Sequence, residues 1–102
     1  MKANLDDFLD DVQLRNQVLQ HIKSGKYRLT KHAAEEQAKD EIDLRDTLHV
    51  LKTGWHENKK TKFNNAFQTW NYAIRGKTED LKEVRVIISF SSEMMIVTVI
   101  GL

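Results

Sequence analysis

The chain contains no cysteine and no proline, and only four glycines in 102 residues. Without cysteine there is no disulfide framework, no thiolate metal site and no cysteine nucleophile. Without proline, neither helices nor strands are broken by a missing N–H. No apolar run approaches the ~20 residues that a membrane span needs. The opening stretch, Met1 to Asp11, is acidic and lacks an apolar core behind basic residues, so it does not read as a signal peptide. A cytoplasmic location is the resulting expectation. A strong charge of one sign is also lacking: the formal net charge is +1. No global basic signal for nucleic acid exists, although the charge is uneven. Residues 1–50 hold eight Lys/Arg against ten Asp/Glu, and residues 51–102 hold eight against five. The second half is therefore the better candidate for a polyanion partner. The alternative is ordinary solvated surface on both halves.

What is present is the composition of one folded domain over residues 1–102, with 40% hydrophobic and 30% charged residues. In residues 4–24 an apolar stripe at helical spacing runs through Leu5, Phe8, Leu9, Val12, Val18, Leu19 and Ile22. Asn4 is the expected N-cap, Asp6 and Asp7 would complement the helix dipole in the first turn, and Gly25 supplies the stop. A break near Asp10-Asp11 would divide this segment into two short helices. Tyr27-Arg28-Leu29 reads as an extended link. Thr30 can cap a helix over 31–39 and Asp43 another over about 44–52, which Gly54 closes.

The period then changes to alternation. Gln68, Trp70, Tyr72 and Ile74 share one face of a strand over 68–75, with Thr69, Asn71, Ala73 and Arg75 on the other. A second strand covers 83–90, with Val84, Val86, Ile88 and Phe90 on one face and Arg85, Ile87 and Ser89 on the other. Residues 94–100 are apolar on both faces, the pattern of a strand covered on both sides. Residues 55–67 hold a further candidate strand starting at Trp55, then the loop Lys59-Lys60-Thr61-Lys62. Helices first and strands after imply an α+β fold, with N-terminal helices packed on a small three-stranded antiparallel sheet.

Several motifs carry a resemblance. Tyr27-Arg28-Leu29-Thr30-Lys31-His32-Ala33 at a helix start looks like the opening motif of a bacterial family of domains of unknown function. Trp70-Asn71-Tyr72-Ala73-Ile74-Arg75-Gly76 looks like its central motif. Val84-Arg85-Val86-Ile87-Ile88 and Ile96-Val97-Thr98-Val99-Ile100 look like its two closing strands. That family is similar to the RelE, BrnT and MqsR toxins, and the MqsR outline is especially close. The resemblance covers about residues 18–102, with 1–25 as a leading helix and 26–102 as the family core. It implies a RelE-like fold, an antitoxin partner and metal-independent cleavage of messenger RNA.

Cleavage by attack of the 2′-hydroxyl needs a base, cations for the phosphorane and an acid for the leaving oxygen. His32, in the first turn of the second helix, suits acid–base work; Glu35 or Glu36 would orient its ring. The plain alternative is a histidine that packs or caps at a helix start. Arg75 and Arg85 lie opposite the large apolar side chains, where two guanidinium groups would clamp phosphate on one face with Asn71, Thr69 and Ser89. Alternatively they pair with Glu83 or Glu79 across the turn. Thr98 interrupts an apolar strand, so its hydroxyl could contact substrate or simply bond locally. Asn71 and Tyr72 are candidate substrate contacts, and Trp70 with Tyr72 would stack bases on an open sheet. Their shared face with Ile74 reads better as core. Lys59, Lys60 and Lys62 would steer RNA, or form a solvated turn. The four histidines, His21, His32, His49 and His56, lack metal-ligand spacing, and no cofactor is expected. Two rivals remain: a non-catalytic binding module of the same fold, favoured by the acidic run Asp6-Asp7-Asp10-Asp11, and a homodimer that covers strand 94–100 with a second copy.

Overall fold

The computed structural model describes residues 8–102. The first helix, α1, spans Asp11–Ser24. Asp10 caps it: its side chain accepts the Gln13 N–H and the Gln13 side chain accepts the Asp10 N–H. This reciprocal box fixes the start of the helix at the expected break. The residues proposed for an earlier start, Asn4 to Asp7, lie outside the described residues. Gly25 ends α1 in a left-handed conformation at φ 72°, which needs no Cβ. Strand β1 (Tyr27–Leu29) follows, then α2 (Lys31–Lys39) capped by Thr30 and α3 (Leu44–Thr53) capped by Asp43. The rest is sheet: β2 (Trp55–His56), a 3₁₀ turn at Asn58–Lys60, β3 (Lys62–Asn64), β4 (Thr69–Lys77), β5 (Glu83–Phe90) and β6 (Met94–Gly101).

The fold is α+β, as expected, but its sheet has six strands and not three. The order is β1-β6-β5-β4-β2, and β3 also pairs with β4. The three long strands form the expected antiparallel meander. The segment read as a link, β1, is an edge strand parallel to β6. Beyond β1, the remaining edge of β6 is covered by α2. Glu36 accepts the Val99 N–H at 3.3 Å and Asp40 accepts the Gly101 N–H at 2.9 Å. Carboxylates on a helix thus occupy donors that would otherwise recruit another strand.

All three helices lie on one face of the sheet. Leu14 and Val18 of α1, Ala33 of α2, and Val50 and Leu51 of α3 form one core with Tyr72, Ile74, Val84, Val86, Ile88, Met94, Ile96 and Val99. Among the described residues no helix packs on the other face, which carries Asn71, Ala73, Arg75, Arg85, Ile87, Ser89 and Met95. A β-bulge in β6 decides where Thr98 points. Ile87 pairs with Thr98 while Ile88 pairs with Ile96, so Val97 is an extra residue. Simple alternation would put Thr98 inside with Met94 and Ile96; the bulge turns it outward and sends Val99 in. The outward side chains Met95, Val97 and Ile100 are half-buried, so β6 is packed by helices on one face alone. Among the described residues no helix is long and apolar enough to cross a membrane.

Candidate active site on the open sheet face

Cross-strand register brings Arg75 of β4 directly opposite Arg85 of β5. Two cations side by side repel, so the arrangement requires anions. Glu57, just past the end of β2, supplies the first. Its backbone N–H bonds to the Ala73 carbonyl, which carries its side chain toward the arginines. Arg85 Nε donates to Glu57 Oε1 at 2.6 Å and Nη2 to Oε2 at 3.1 Å, a bidentate pair. Arg75 Nη1 reaches the same Oε2 at 3.4 Å, and its Nη2 donates to Glu83 at 2.8 Å. One carboxylate therefore sits between two guanidinium groups. The side chains of Glu57 and Arg85 are only 17% and 15% exposed. The buried Arg75 Nε has no hydrogen-bond partner among the described residues.

The hydrogen bond from Arg85, reinforced by its charge and by Arg75, holds the Glu57 carboxyl below the usual carboxylate range. The hydrogen bond from Arg75 does the same for Glu83. A depressed folded-state value means that the stabilisation is complete above the ordinary value near 4.5 and disappears as pH falls through the lower folded values. The unfolding midpoint of the wild type is thus expected to exceed that of Glu57→Gln at neutral pH and to converge on it in acid. Thermal unfolding followed between neutral pH and about pH 3 measures this; a constant gap would contradict it.

Of the residues anticipated from sequence, Arg75, Arg85, Thr98 and Asn71 do share the open face. Arg75 pairs with Glu83, the alternative weighed for it. His32 is not brought to the arginines. It lies on α2 at the β6 edge, 65% exposed, with Nε2 3.0 Å from Glu36, whereas Arg75 is two strands away on β4. Tyr72 is 3% exposed in the core, and its hydroxyl accepts the Leu9 N–H; Trp70 packs beside it on the helix side. Both are core residues and not a base-stacking platform. Lys59 and Lys60 are exposed on the 3₁₀ turn, and Lys62 stands opposite Asn71 at the rim.

Sequence reasoning missed Glu57 and the connection that fixes it. His56, whose side chain is 3% exposed, places Nδ1 2.8 Å from Asp11 Oδ1 and Nε2 2.8 Å from Thr61 Oγ1. An ionised carboxylate only accepts, so Nδ1 carries the proton. The arrangement has the layout of a hydrolytic triad, but the hydroxyl is already engaged. Thr61 Oγ1 accepts the Ala73 N–H at 3.0 Å and lies 3.2 Å from the Glu57 carbonyl. Asp11, His56 and Thr61 therefore tie the start of α1 to β2 and β4, on either side of the Glu57 backbone. Polar residues after Trp55 were the available signal; their partners lie too far along the chain to be read. Among the described residues no cluster of three or more His, Asp or Glu is placed to hold a metal.

A family model for a domain of unknown function, DUF4258, matches residues 29–100. The chain belongs to the DUF4258 family. The match begins at Leu29 and ends at Ile100, so α1 precedes the DUF4258 segment while β2 to β5 with Glu57, Arg75 and Arg85 fall inside it. The clamp from Asp11 to His56 thus joins a leading helix to the DUF4258 core. No curated protein and no solved structure matches the chain.

Proposed function

We propose that this DUF4258 protein is a toxin-type, metal-independent endoribonuclease, related to the RelE-like toxins and restrained by an antitoxin protein. The observation that carries the reading is the Glu57 carboxylate bracketed by Arg75 and Arg85 on a sheet face that none of the described helices packs against. Glu57 is the base. It takes the 2′-hydroxyl proton; the 2′-oxygen bonds to phosphorus and the bond to the 5′-oxygen breaks, leaving a 2′,3′-cyclic phosphate and a 5′-hydroxyl. Protonation cancels the charge that held Arg85 and the Nη1 of Arg75, while Arg75 Nη2 stays on Glu83. The freed donors then turn to the phosphorane as its negative charge develops. The low pKa of Glu57 makes it a weak base in the free protein, and an incoming phosphate raises it by charge repulsion. None of the four histidines joins this cluster, so the leaving 5′-oxygen draws its proton from solvent, which keeps turnover below that of a nuclease with both acid and base in place.

One observation favours a second reading. The charges of Arg75 and Arg85 are already compensated by Glu57 and Glu83, as suits a rigid non-catalytic binding module. Induction in a bacterial host separates the two. The nuclease reading expects growth arrest by the wild type, relieved in Arg85→Ala and in Glu57→Gln variants that remain folded. Normal growth with abundant folded wild-type protein would favour the binding module.

A further inference from the structure

Beside the Glu57 cluster, the open face sinks into a groove of about 480 Å³. Its floor is formed by Asn71, Ser89 and Met95, and its wall by Asn64, Phe67 and Thr69. Size and apolar character are those of a small-molecule site. The chain is 30% charged, yet among the described residues no charged one lines the groove. Phe67 stands at the tip of the β3–β4 hairpin and is 78% exposed. The Asn64 side-chain oxygen accepts the N–H groups of Ala66 and Phe67, so the tip is a locked turn that holds the ring out. The Asn71 amide and the hydroxyls of Thr69 and Ser89 are half-buried and make no hydrogen bond among the described residues. Here a planar aromatic wall meets unspent donors and acceptors.

We infer that this groove is a nucleobase subsite, with Phe67 stacking on the base and Asn71 reading its edge. An aromatic face binds any base. The amide of an asparagine offers one donor and one acceptor side by side, which match N7 and the N6 amino group of adenine. Guanine is matched by arginine or lysine; neither lines the groove, and Lys62, paired opposite Asn71, stands at its rim. Adenine is therefore the preferred occupant. The site also lies at a useful distance. Asn71 is two residues along β4 from Ala73, whose carbonyl holds the Glu57 backbone, a separation of about 6–7 Å along a strand. Arg75 and Arg85 pair four residues along β4 from Asn71, about 13 Å, so a base in the groove leaves the phosphate of a neighbouring nucleotide to reach them. This inference rests on the reading of the open face as an RNA-contacting surface, and it does not require cleavage.

The test is a titration of the folded protein with each of the four nucleosides, followed by amide chemical shifts. A nucleoside has no phosphodiester, so its binding is independent of catalysis. Adenosine is expected to shift the amides of Thr69, Asn71, Ser89 and Met95, and to bind more tightly than guanosine, cytidine or uridine. Phe67→Ala should weaken it about tenfold, and this exposed side chain can be truncated without disturbing the core. Asn71→Ala should abolish the preference for adenosine. No shifts at the groove up to the solubility limit, or equal binding of all four nucleosides, would overturn the inference. Groove binding by a protein that leaves RNA intact would retain the subsite and remove the nuclease reading; cleavage without groove binding would do the reverse.

Discussion

Exchanging Glu57 for glutamine is expected to lower RNA cleavage by about 10²–10⁴-fold, the range contributed by a positioned general base. The amide keeps the shape of the carboxylate and can still accept from Arg85, but it cannot take the 2′-hydroxyl proton. The same change weakens the ion network that spans β2, β4 and β5. Its members are partly exposed, so the expected result is a lower unfolding midpoint, a smaller loss than breaking a fully buried pair would cause. Activity per folded molecule separates the two effects. A structural role for Glu57 predicts lower stability with unchanged specific activity. A catalytic role predicts loss of activity in protein that is demonstrably folded, with partial rescue by Glu57→Asp. The pH dependence carries the same distinction: a base must be ionised, so the acid limb of kcat/KM, which reports the free protein, should fall below the ordinary carboxylate value, because Arg85 and Arg75 depress that of Glu57.

The second large effect is expected at a contact between two glycines. Gly54 ends α3 and Gly76 lies on β4; a Cβ on Gly76 would come 3.0 Å from the Gly54 Cα. A Cβ on Gly54 would stand 2.5 Å from the Arg75 carbonyl oxygen and 2.7 Å from that of Val50. Both are backbone atoms, so no side chain can rotate away. Gly54→Ala must push α3 from β4, at a cost of about 3 kcal/mol. For a domain of this size that lowers the thermal midpoint by roughly 10–20 °C. The displaced strand is the one that carries Arg75, so cleavage should also suffer at temperatures where the variant is folded. Circular dichroism melting measures the first effect; an unchanged midpoint would show that the helix end is not pressed against β4.

The helices and the long strands were legible in the sequence because their causes are local. Thr30 and Asp43 cap the helices expected of them, Gly25 and Gly54 end α1 and α3, and alternation marks β4 and β5. The short strands were not legible. Three residues, Tyr27–Leu29, show no period, and their membership in the sheet depends on β6, far along the chain. The outward turn of Thr98 depends on one extra residue in a ladder, which changes no composition. For the site, alternation correctly set Arg75 and Arg85 opposite the core. It could not supply Glu57, whose bonds to them cross 18 and 28 residues. Nor could it show that His32 belongs to a helix serving the β6 edge, because helix placement is a tertiary choice. The leading helix shows the same limit from the other side. Its stripe was legible only in part: Val18 and Ile22 pack inward, whereas Val12 and Leu19 are exposed and Leu14, outside the stripe, is buried; the contact from Asp11 to His56 spans 45 residues.

The most direct measurement of the central claim is an end analysis of single-stranded RNA incubated with the purified protein in EDTA. The account predicts fragments bearing a 5′-hydroxyl and a 2′,3′-cyclic phosphate, formed by the wild type and not by Glu57→Gln. Intact RNA, or fragments formed equally by the Glu57→Gln protein, would contradict it.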